Sequence, residues 1–437
     1  MKSFIPYLAH LQELTSTVTS LPSINNRKIE ITSALNGQPS EFLRSNVSLT
    51  KLRNSGAFFT GHKLAKRLVL PLKSFVPRGS KIFDPACGSG DLLLAYAKLL
   101  PVFDSLEKTL AHWGSILYGY DIHEEFVKTA KLRLVLLAKT RCQKSQAKTI
   151  DLENVFPNIV VKNFLSPETT IPQIDIVLLN PPYTRTTAYK CDWATGLITS
   201  AGIFVSKCIE SCPAKTTIHA ILPDVLRAGS LYKKWRELIS SQAKVESLEI
   251  IGKFDAQTDV DVFFLRLYCS AQRLNRVNWN LTRRRKSTKR FGNVFSIKIG
   301  PVVPFRDKKI GPPRPYIDTK IATPWKIIHP GAIKRKYNKK LYKPPFVVVR
   351  RTSGPSDKFR AVASIVSGGR KVAVENHLII LQPRSKSIAI CRRALKILKS
   401  EETSTWLNRR IRCRHLTTAA ISEIPWIEPN KNDEVGK

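Results

Sequence analysis

The stretch KIFDPACGSGDLLLAYAKLL, residues 81–100, decides the fold class of this protein. Its apolar start is typical of a buried strand, CGSG predicts a tight turn, and DLLLAYAKLL has the pattern of a helix. The alternation continues with strand-like SILYGYD, IDIVLLNPPY and TIHAILP and with helix-like EEFVKTAKLRLVLLAK and GIFVSKCIESC. VESLEIIGKF and VDVFFLRLYC then predict a closing pair of strands. Strands that alternate with helices predict a doubly wound α/β sheet.

The composition favours a folded, cytoplasmic protein of two or three domains. The chain has 437 residues, 43% of them hydrophobic, and no apolar run long enough to predict a membrane span. The N-terminus lacks the apolar region and cleavage site of a signal peptide. Cys208 and Cys212 lie four residues apart without a further His or Cys at zinc-site spacing, so buried thiols are favoured over a metal site.

The net charge of +39 is distributed unevenly along the chain. Up to Gln272, 33 Lys and Arg stand against 23 Asp and Glu, a net of +10. From Arg273 onward, 39 stand against 10, a net of +29. A C-terminal region this basic predicts a surface for a polyanion, nucleic acid in particular, rather than charge for general solubility.

Acidic residues at two strand ends accompany the glycine-rich turn. The turn itself fits neither a dinucleotide fingerprint nor a P-loop. Asp84 ends its strand just before the turn, where it can hold a cation, and Asp121 ends the next strand, where an acid suits ribose hydroxyls. S-adenosylmethionine, a cation that carries a ribose, fits this pair better than a pyrophosphate does. The alternative of turn glycines with solvated acids is weaker because the two motifs occur in succession.

With these motifs in order, the chain resembles the DNA adenine-N6 methyltransferases of restriction-modification type, in their gamma motif order. Residues 54–270 carry the resemblance in SGAFFTGHKLAKRLV, FDPACGSG, YGYDIHEEFVKTAKLRL, NPPY, AGIFVSKCIE, AILPDVLRAG and GKFDAQTDVDVFFL. It implies the fold of a class I S-adenosylmethionine-dependent methyltransferase, a Rossmann-like doubly wound sheet, followed by a mixed α/β target-recognition domain.

The resemblance also implies a set of cofactor-binding residues. These are Thr60, Asp84, Pro85, Ala86, Gly88, Gly90, Asp121, Ile122, Asn163, Phe164 and Asn180. Asn163, in VKNFLSP, stands where the family usually has an acid, which puts the affinity for the cofactor in question more than the activity.

The NPPY motif explains why an apolar strand ends on polar and rigid residues. Asn180 offers an amide oxygen as a hydrogen-bond acceptor. Pro181 and Pro182 fix the turn, and because prolines carry no N–H, we expect their backbone carbonyls to be left free. The Asn180 side chain and the Pro181 carbonyl can both accept from the exocyclic amine of an adenine that has left the duplex. Tyr183 would stack on this base, and Phe254 is the candidate for a second aromatic wall. The alternative for NPPY is a simple β-turn, and for Phe254 an ordinary core position.

The resemblance divides the chain into four parts. We expect an N-terminal helical segment at 1–50, a catalytic domain at 51–272, a basic linker at 273–295 and a target-recognition domain at 296–437. The expected partners are double-stranded DNA, which would associate the protein with the nucleoid, and a cognate restriction endonuclease or another restriction-modification subunit. Candidate DNA contacts are Arg283, Arg284, Arg285, Lys286, Arg350 and Arg351. A solvated mobile loop is the alternative for the linker.

Three other functions stay open at this point. RNA methylation is one, because charge alone does not separate RNA from DNA. Protein-glutamine methylation is another, because those enzymes carry a similar Asn-Pro-Pro-Tyr, although they do not need a C-terminal region of net charge +29. The third is a non-catalytic DNA-binding protein on a relic methyltransferase fold, against which the intact Asn180, Tyr183, Asp84 and Asp121 argue.

Overall fold

A computed structural model of the protein describes residues 2–19, 21–74, 79–142, 150–187, 191–255, 258–270, 277–282 and 289–426. The chain divides into two compact units. The first contains Met1–Leu226 and Leu231–Val277, and the second contains Arg227–Ser230 and Asn278–Lys437. The four-part division expected from the sequence stays a prediction. Among the helices in the described ranges, none has the length and apolar character that a bilayer crossing needs.

Helices and strands alternate through the first part of the chain. The α-helices are α1 (Ile5–Thr17), α2 (Leu21–Asn26), α3 (Lys28–Ala34), α4 (Gln38–Asn46), α5 (Leu49–Ser55), α6 (His62–Val69), α7 (Asp91–Ala97), α8 (Leu106–Ile116), α9 (Glu124–Arg141), α10 (Leu152–Val155), α11 (Ser200–Ser211), α12 (Asp224–Ala228) and α13 (Lys233–Gln242). The strands are β1 (Ile82–Asp84), β2 (Leu117–Asp121), β3 (Ile159–Val161), β4 (Ile176–Leu179), β5 (Arg185–Thr187), β6 (Leu197–Thr199), β7 (Thr217–Pro223), β8 (Ala243–Lys253) and β9 (Asp261–Cys269). Short 3₁₀ helices occupy Lys2–Phe4, Leu70–Ser74 and Ser230–Tyr232.

The main sheet of the first unit has the order β3-β2-β1-β4-β7-β9-β8. Neighbouring strands from β3 to β7 pair in parallel, and β9 is antiparallel to both β7 and β8, which confirms the predicted closing pair. Because β1, β2 and β4 are parallel, their carboxyl ends lie at one edge of the sheet. This register brings Asp84, Asp121 and Asn180 to the same edge, where open α/β sheets bind ligands.

The start of the second strand differs from the sequence prediction. Ser115 and Ile116, predicted to start the second strand, belong to α8, and β2 begins at Leu117. The helix forms in the stretch VFDSLEKTLAHWG, where Ser105 caps its first turn by accepting from the Lys108 N–H at 3.1 Å. Trp113 anchors it in the core by donating its indole N–H to the Pro101 carbonyl at 3.0 Å.

The N-terminal helices belong to the first unit and cover one side of α9. Phe4, Phe59 and Phe126 pack edge to face, with ring centroids 5.1 Å apart for Phe4 and Phe126 and 4.9 Å apart for Phe59 and Phe126. The Lys139 ammonium of α9 donates to the Thr15 carbonyl of α1 at 2.8 Å. Part of the segment that precedes the cofactor motifs is therefore core structure for the domain that carries them.

The second unit is a mixed α/β structure. Its elements are α14 (Phe291–Val294), β10 (Phe295–Ile299), β11 (Pro313–Ile317), β12 (Ile327–Ile328), β13 (Lys334–Lys336), β14 (Phe346–Arg350), β15 (Ala363–Val366), β16 (Ala373–Val374), β17 (Leu378–Pro383), α15 (Ile388–Leu398), α16 (Glu401–Arg410) and α17 (Thr418–Ser422). One sheet has the order β10-β17-β14-β15-β12 and a smaller one the order β13-β11-β16. Alternate residues of β14 enter different cores, Val347 and Val349 with α15 to α17, and Phe346 and Val348 with β11 and β16.

Candidate active site

The glycine-rich turn between β1 and α7 is held by hydrogen bonds that its backbone N–H groups donate. The Gly88 N–H donates to Asp121 Oδ2 at 3.0 Å, and the Gly90 N–H donates to the Cys87 carbonyl at 2.8 Å. Gly88 and Gly90 have φ of 51° and 84°, in the left-handed region that favours glycine. A Cβ on Gly90 would lie 2.8 Å from the Ala130 Cβ, so α7 starts against α9 only because glycine stands there.

The two acids of the predicted cofactor site have different surroundings. Asp84 is buried, its Oδ1 accepts from the Ala86 N–H at 3.1 Å, and burial raises the pKa of its carboxyl well above the usual range. Asp121 Oδ1 accepts from the His123 N–H at 2.9 Å, while its other oxygen holds the turn at Gly88. Asp84 therefore stabilises the turn from within the core, whereas Asp121 lines the cavity described next.

A cavity of about 290 Å³ lies in front of the turn. Ten of the residues predicted to act here line it: Thr60, Pro85, Ala86, Gly88, Asp121, Ile122, Asn163, Phe164, Asn180 and Pro182. Asp84, Gly90, Pro181 and Tyr183 are not part of its wall. The structure thus brings together most of the predicted cofactor-binding residues around one space.

The far wall of this cavity is aromatic. Phe164 is buried and packs against Phe204, with ring centroids 5.3 Å apart and planes at 31°. The Lys207 ammonium lies 5.2 Å from the centroid of the Phe164 ring and donates to the Ser166 carbonyl at 2.7 Å. Asn163 is exposed, and its Oδ1 accepts from the Leu165 N–H at 3.0 Å. The residue in the family's acidic position therefore fixes the turn that carries Phe164.

The amide of Asn180 is oriented by hydrogen bonds on both sides. Its Nδ2 donates to Thr60 Oγ1 at 2.9 Å, and its Oδ1 accepts from the Tyr183 hydroxyl at 2.8 Å. The same hydroxyl also contacts the Ile221 carbonyl at 3.2 Å, and burial raises the pKa of Tyr183 well above the usual range. Tyr183 therefore stays a neutral donor, and Thr60, expected only as a cofactor contact, also positions Asn180.

The NPPY turn contacts two segments, the start of α11 and the loop before α6. The Ser200 hydroxyl donates to the Pro182 carbonyl, and the Ser200 N–H donates to the Thr184 carbonyl at 2.9 Å. Gly56 has φ of 67°, and a Cβ there would lie 2.5 Å from the Pro182 Cβ. Gly56 is a residue that sequence reasoning missed; its signal is its place one residue ahead of AFFTG.

A second cavity, of about 370 Å³, adjoins Tyr183. Its wall consists of Gly56, Phe58, Tyr183, Phe254, Thr258, Asp259 and Val260. Tyr183 and Phe254, the two predicted stacking residues, have ring centroids 5.9 Å apart and planes at 80°. A planar group stacked on the Tyr183 ring would therefore lie nearly perpendicular to the Phe254 ring, so that Phe254 could not stack on the same group face to face. Phe58 adds a third aromatic ring to this wall, one that was not predicted from the sequence.

A buried arginine ties the cofactor motifs to the N-terminal helices. Arg133 of α9 donates to Asp91 Oδ1 at 2.8 Å and to the Ser89 carbonyl at 2.6 Å in the glycine-rich turn. It also donates to the Ala34 carbonyl at 2.8 Å. Asp91 Oδ2 in turn accepts from the Gly61 N–H at 2.7 Å. Sequence reasoning missed this network because Arg133 sits in a helix whose pattern shows only burial.

The predicted DNA contacts fall outside this unit. Arg350 donates to the carbonyls of Thr319 and Ala322 at 3.1 and 3.3 Å, so part of its guanidinium is engaged within the fold. Arg351 is half-buried. Arg283, Arg284, Arg285 and Lys286 lie outside the described residues.

Comparison with known proteins identifies the region that carries these motifs. Residues 34–205 match the N-6 DNA methylase family. This match confirms the resemblance seen in the sequence. The chain is 30% identical over 158 residues to the type II methyltransferase M.BanIII of Aneurinibacillus aneurinilyticus, and the aligned stretch covers 34% of this chain and 25% of that protein. The chain thus spans about a quarter of the length of that relative.

A solved structure extends the likeness to both units. The type IIL restriction-modification enzyme MmeI, determined in complex with DNA, aligns with 90% of this chain and 71% of its own, with a TM-score of 0.52 and 12% identity. Likeness at this identity concerns the fold. The fold is a doubly wound α/β sheet followed by a C-terminal mixed α/β part, as predicted.

Proposed function

We propose that this protein is a site-specific DNA methyltransferase that methylates the exocyclic N6 amine of a flipped adenine, in restriction-modification or a related host defence. The observation that carries the proposal is the position of one hydrogen-bonded pair. Asn180 lines the first cavity and Tyr183 lines the aromatic second cavity, and the two side chains are 2.8 Å apart. A methyl donor in the first cavity and a base in the second would meet at Asn180.

The residues that line the first cavity support S-adenosylmethionine as its ligand. Asp121 would hold the ribose, and Ile122 and Phe164 offer apolar contact to the adenine ring of the cofactor. Gly88 keeps the turn open, since a Cβ there would lie 3.1 Å from the Phe59 ring. When bound, the cofactor supplies an electrophilic methyl group: its sulfur–methyl bond breaks as the N6–methyl bond forms, and the amine releases one proton to solvent.

The NPPY residues would align and polarise the amine. An amide oxygen has two lone pairs, so Asn180 Oδ1 can accept from the amine while it accepts from Tyr183. Within the part of the chain that the structure describes, no group donates to the Pro181 carbonyl, which supports a role as second acceptor. Positive charge develops on the amine nitrogen during transfer, and fixed acceptors stabilise that charge without reorganisation.

Substitution of Asn180 tests the proposal. In Asn180→Ala we expect methyl transfer to duplex DNA to be lost while DNA and cofactor binding persist, because the interaction strengthens mainly in the transition state. Tyr183→Phe keeps the ring and removes only the hydroxyl, so it should lose less. The measurements are transfer of tritiated methyl from S-adenosylmethionine and single-molecule sequencing of the methylated DNA. Near-normal turnover by Asn180→Ala would refute the assignment.

The same assay separates the other candidate functions. A methyltransferase for RNA would prefer single-stranded RNA over duplex DNA of equal length, and one for protein glutamine would modify a peptide. A relic binder would retain DNA but transfer no methyl group. The net charge of +29 beyond Gln272 favours a nucleic acid, and the likeness to MmeI, solved with DNA, favours duplex DNA.

A further inference from the structure

The loop between β10 and β11 leaves a phenylalanine wholly in solvent. Phe305 is 100% exposed, the largest exposure of any large hydrophobic side chain in the described ranges. Large apolar side chains are usually withdrawn from water at least in part. The sequence around it, VVPFRDKKIGPP, contributes no residue to the walls of the two cavities. We call residues 303–312 the Phe305 loop.

The turn that presents Phe305 is fixed by its own hydrogen bonds. Asp307 Oδ2 accepts from the Val303 N–H at 2.8 Å, and the Asp307 N–H donates to the Val303 carbonyl at 2.8 Å. Across the small sheet, Arg335 Nη2 donates to the Asp307 carbonyl at 2.8 Å, and Lys339 Nζ donates to Asp307 Oδ1 at 2.6 Å. The Phe305 ring is therefore exposed to solvent by a turn that hydrogen bonds fix, and not by an unconstrained segment of the chain.

The turn lies in a basic stretch of the sequence. Between Val303 and Lys343 the chain has 12 Lys and Arg and 2 Asp, a net of +10. Arg306, Lys308 and Lys309 follow Phe305 closely and are exposed. Nearby, the exposed Lys298 and Lys340 lie close enough for Lys298 to lower the pKa of Lys340 by repulsion. Cations gathered in this way favour a polyanion on this face.

We propose that the Phe305 loop inserts into a groove of duplex DNA, with the Phe305 ring against a base step and the neighbouring Lys and Arg on the flanking phosphates. This inference rests on the proposed function for the identity of the polyanion. An apolar wedge between base pairs partly unstacks them and bends the duplex, and phenylalanine is one of the side chains that proteins use for this. An exposed ring that is rimmed by cations suits a partner with stacked apolar faces inside an anionic backbone.

A protein partner is the other occupant that an exposed ring could serve. It would need acidic groups to oppose the exposed Arg306, Lys308 and Lys309, and its binding to the ring would not depend on nucleic acid. The charge around the loop favours DNA, so a protein partner becomes an outcome of the experiment and not part of the proposal.

The test measures binding and crosslinking of the full-length chain on mixed-sequence duplex, without methyl donor. DNA that contains 5-iodouracil crosslinks under near-ultraviolet light to aromatic rings stacked against the base. We expect crosslinks at Phe305, located by mass spectrometry of the attached peptide. Phe305→Ala should bind duplex about tenfold more weakly, in the range of one lost base stack. Phe305→Leu should lose the crosslink and keep most of the affinity, because leucine is still an apolar wedge.

The dependence on salt separates the ring from the charges. Phe305→Ala should leave the slope of log affinity against log salt unchanged, because no phosphate contact is lost. Lys340→Ala should reduce that slope by about one counterion. Ile327→Ala is the matched control: this exposed apolar residue lies in β12, at the opposite edge of the five-stranded sheet from β10, and its loss should change neither measurement.

The outcomes distinguish this inference from the proposed function. If Phe305→Ala weakens duplex binding and the crosslink maps to Phe305 in a protein that transfers no methyl group, the loop stands and the methyltransferase assignment falls. If the chain methylates DNA and Phe305→Ala binds duplex like the wild type, the inference is overturned and the assignment stands. Binding of another protein through Phe305, with duplex affinity unchanged, would also overturn it.

Discussion

The glycine-rich turn of the first unit and the Phe305 loop of the second are built on the same device in different surroundings. Beside each irregular segment, an aspartate accepts from a backbone N–H and pairs with a cation, Asp91 from the Gly61 N–H and Asp307 from the Val303 N–H. In the glycine-rich turn, Asp91 and Arg133 are both buried, with 7% and 1% of their side chains exposed. In the Phe305 loop, the side chain of Asp307 is also shielded, with 8% exposed, but its partner Lys339 has 62% of its side chain exposed.

The difference shows where electrostatics carries structural weight. When both charges of a pair are buried, loss of one leaves an unsatisfied ion in a medium of low dielectric, whereas a pair whose cation lies in solvent is weakened by solvation and by salt. Breaking the pair of Asp91 and Arg133 should therefore lower the unfolding free energy of the protein. Breaking the pair of Asp307 and Lys339 should leave the unfolding free energy unchanged and should at most shift the position of the Phe305 ring.

Removal of Arg133 should produce the largest effect on stability. Arg133→Met leaves Asp91 buried without its cation and frees the carbonyls of Ser89 and Ala34, so we expect the chain to lose about 3–5 kcal/mol of unfolding free energy. The control is Arg67→Met, which breaks the half-exposed pair with Glu249 and should cost at most about 1 kcal/mol. Urea unfolding followed by circular dichroism measures both. Equal losses would contradict the comparison.

Acid should weaken the first unit through a buried histidine. His219 of β7 is buried, and burial lowers its pKa to about 4 from 6.5. Because the folded pKa is lower, stability is complete above pH 6.5 and falls as the pH drops from 6.5 toward 4, by about 3 kcal/mol in all. Unfolding measured across this range should be less pH-dependent in His219→Gln than in the wild type. Identical pH profiles would show that His219 protonates freely in the fold.

Loss of Asp121 should affect the ligand more than the fold. Asp121→Ala removes the acceptor of the Gly88 N–H and the proposed ribose contact, so affinity for S-adenosylmethionine should fall by about 1–3 kcal/mol. Calorimetric titration measures this, with thermal unfolding as the check that the fold persists. Unchanged affinity would remove Asp121 from the cofactor site. A matched variant, Asn163→Asp, restores the acid usual to the family and should bind the cofactor no more weakly than the wild type.

The order of strands, glycines and strand-end acids was readable in the sequence because each is a local pattern with a fixed spacing. FDPACGSGD, the acid of GYDIH and NPPY predicted the sheet edge at which Asp84, Asp121 and Asn180 converge, and TIHAILP matches β7 at Thr217–Pro223. What was missed depends on contacts between distant residues. The network of Arg133 spans 42 residues to Asp91 and 99 to Ala34, and no local pattern marks it.

The sheet order of the second unit could not be predicted from the sequence for the same reason. Its helix IAICRRALKIL, at Ile388–Leu398, has apolar residues at a helical period, which is a local pattern. The sheet order β10-β17-β14-β15-β12, in contrast, joins strands far apart in sequence. Basic residues occur throughout the unit, so composition predicts a polyanion but does not single out the Phe305 loop, whose role depends on the turn that Asp307 and Arg335 form.

The smallest expected effect comes from Asp307, and it separates geometry from charge. Asp307→Asn keeps an acceptor for the Val303 N–H and removes the charge that engages Lys339. We expect no measurable change in unfolding and slightly tighter duplex binding at low salt, a gain that added salt should abolish because it comes from one more free cation. Asp307→Ala has the same net charge and also lacks the acceptor. If the turn serves to present Phe305, the alanine variant binds duplex more weakly than the asparagine variant at every salt concentration. Equal binding by the two would mean that the loop contributes charge alone.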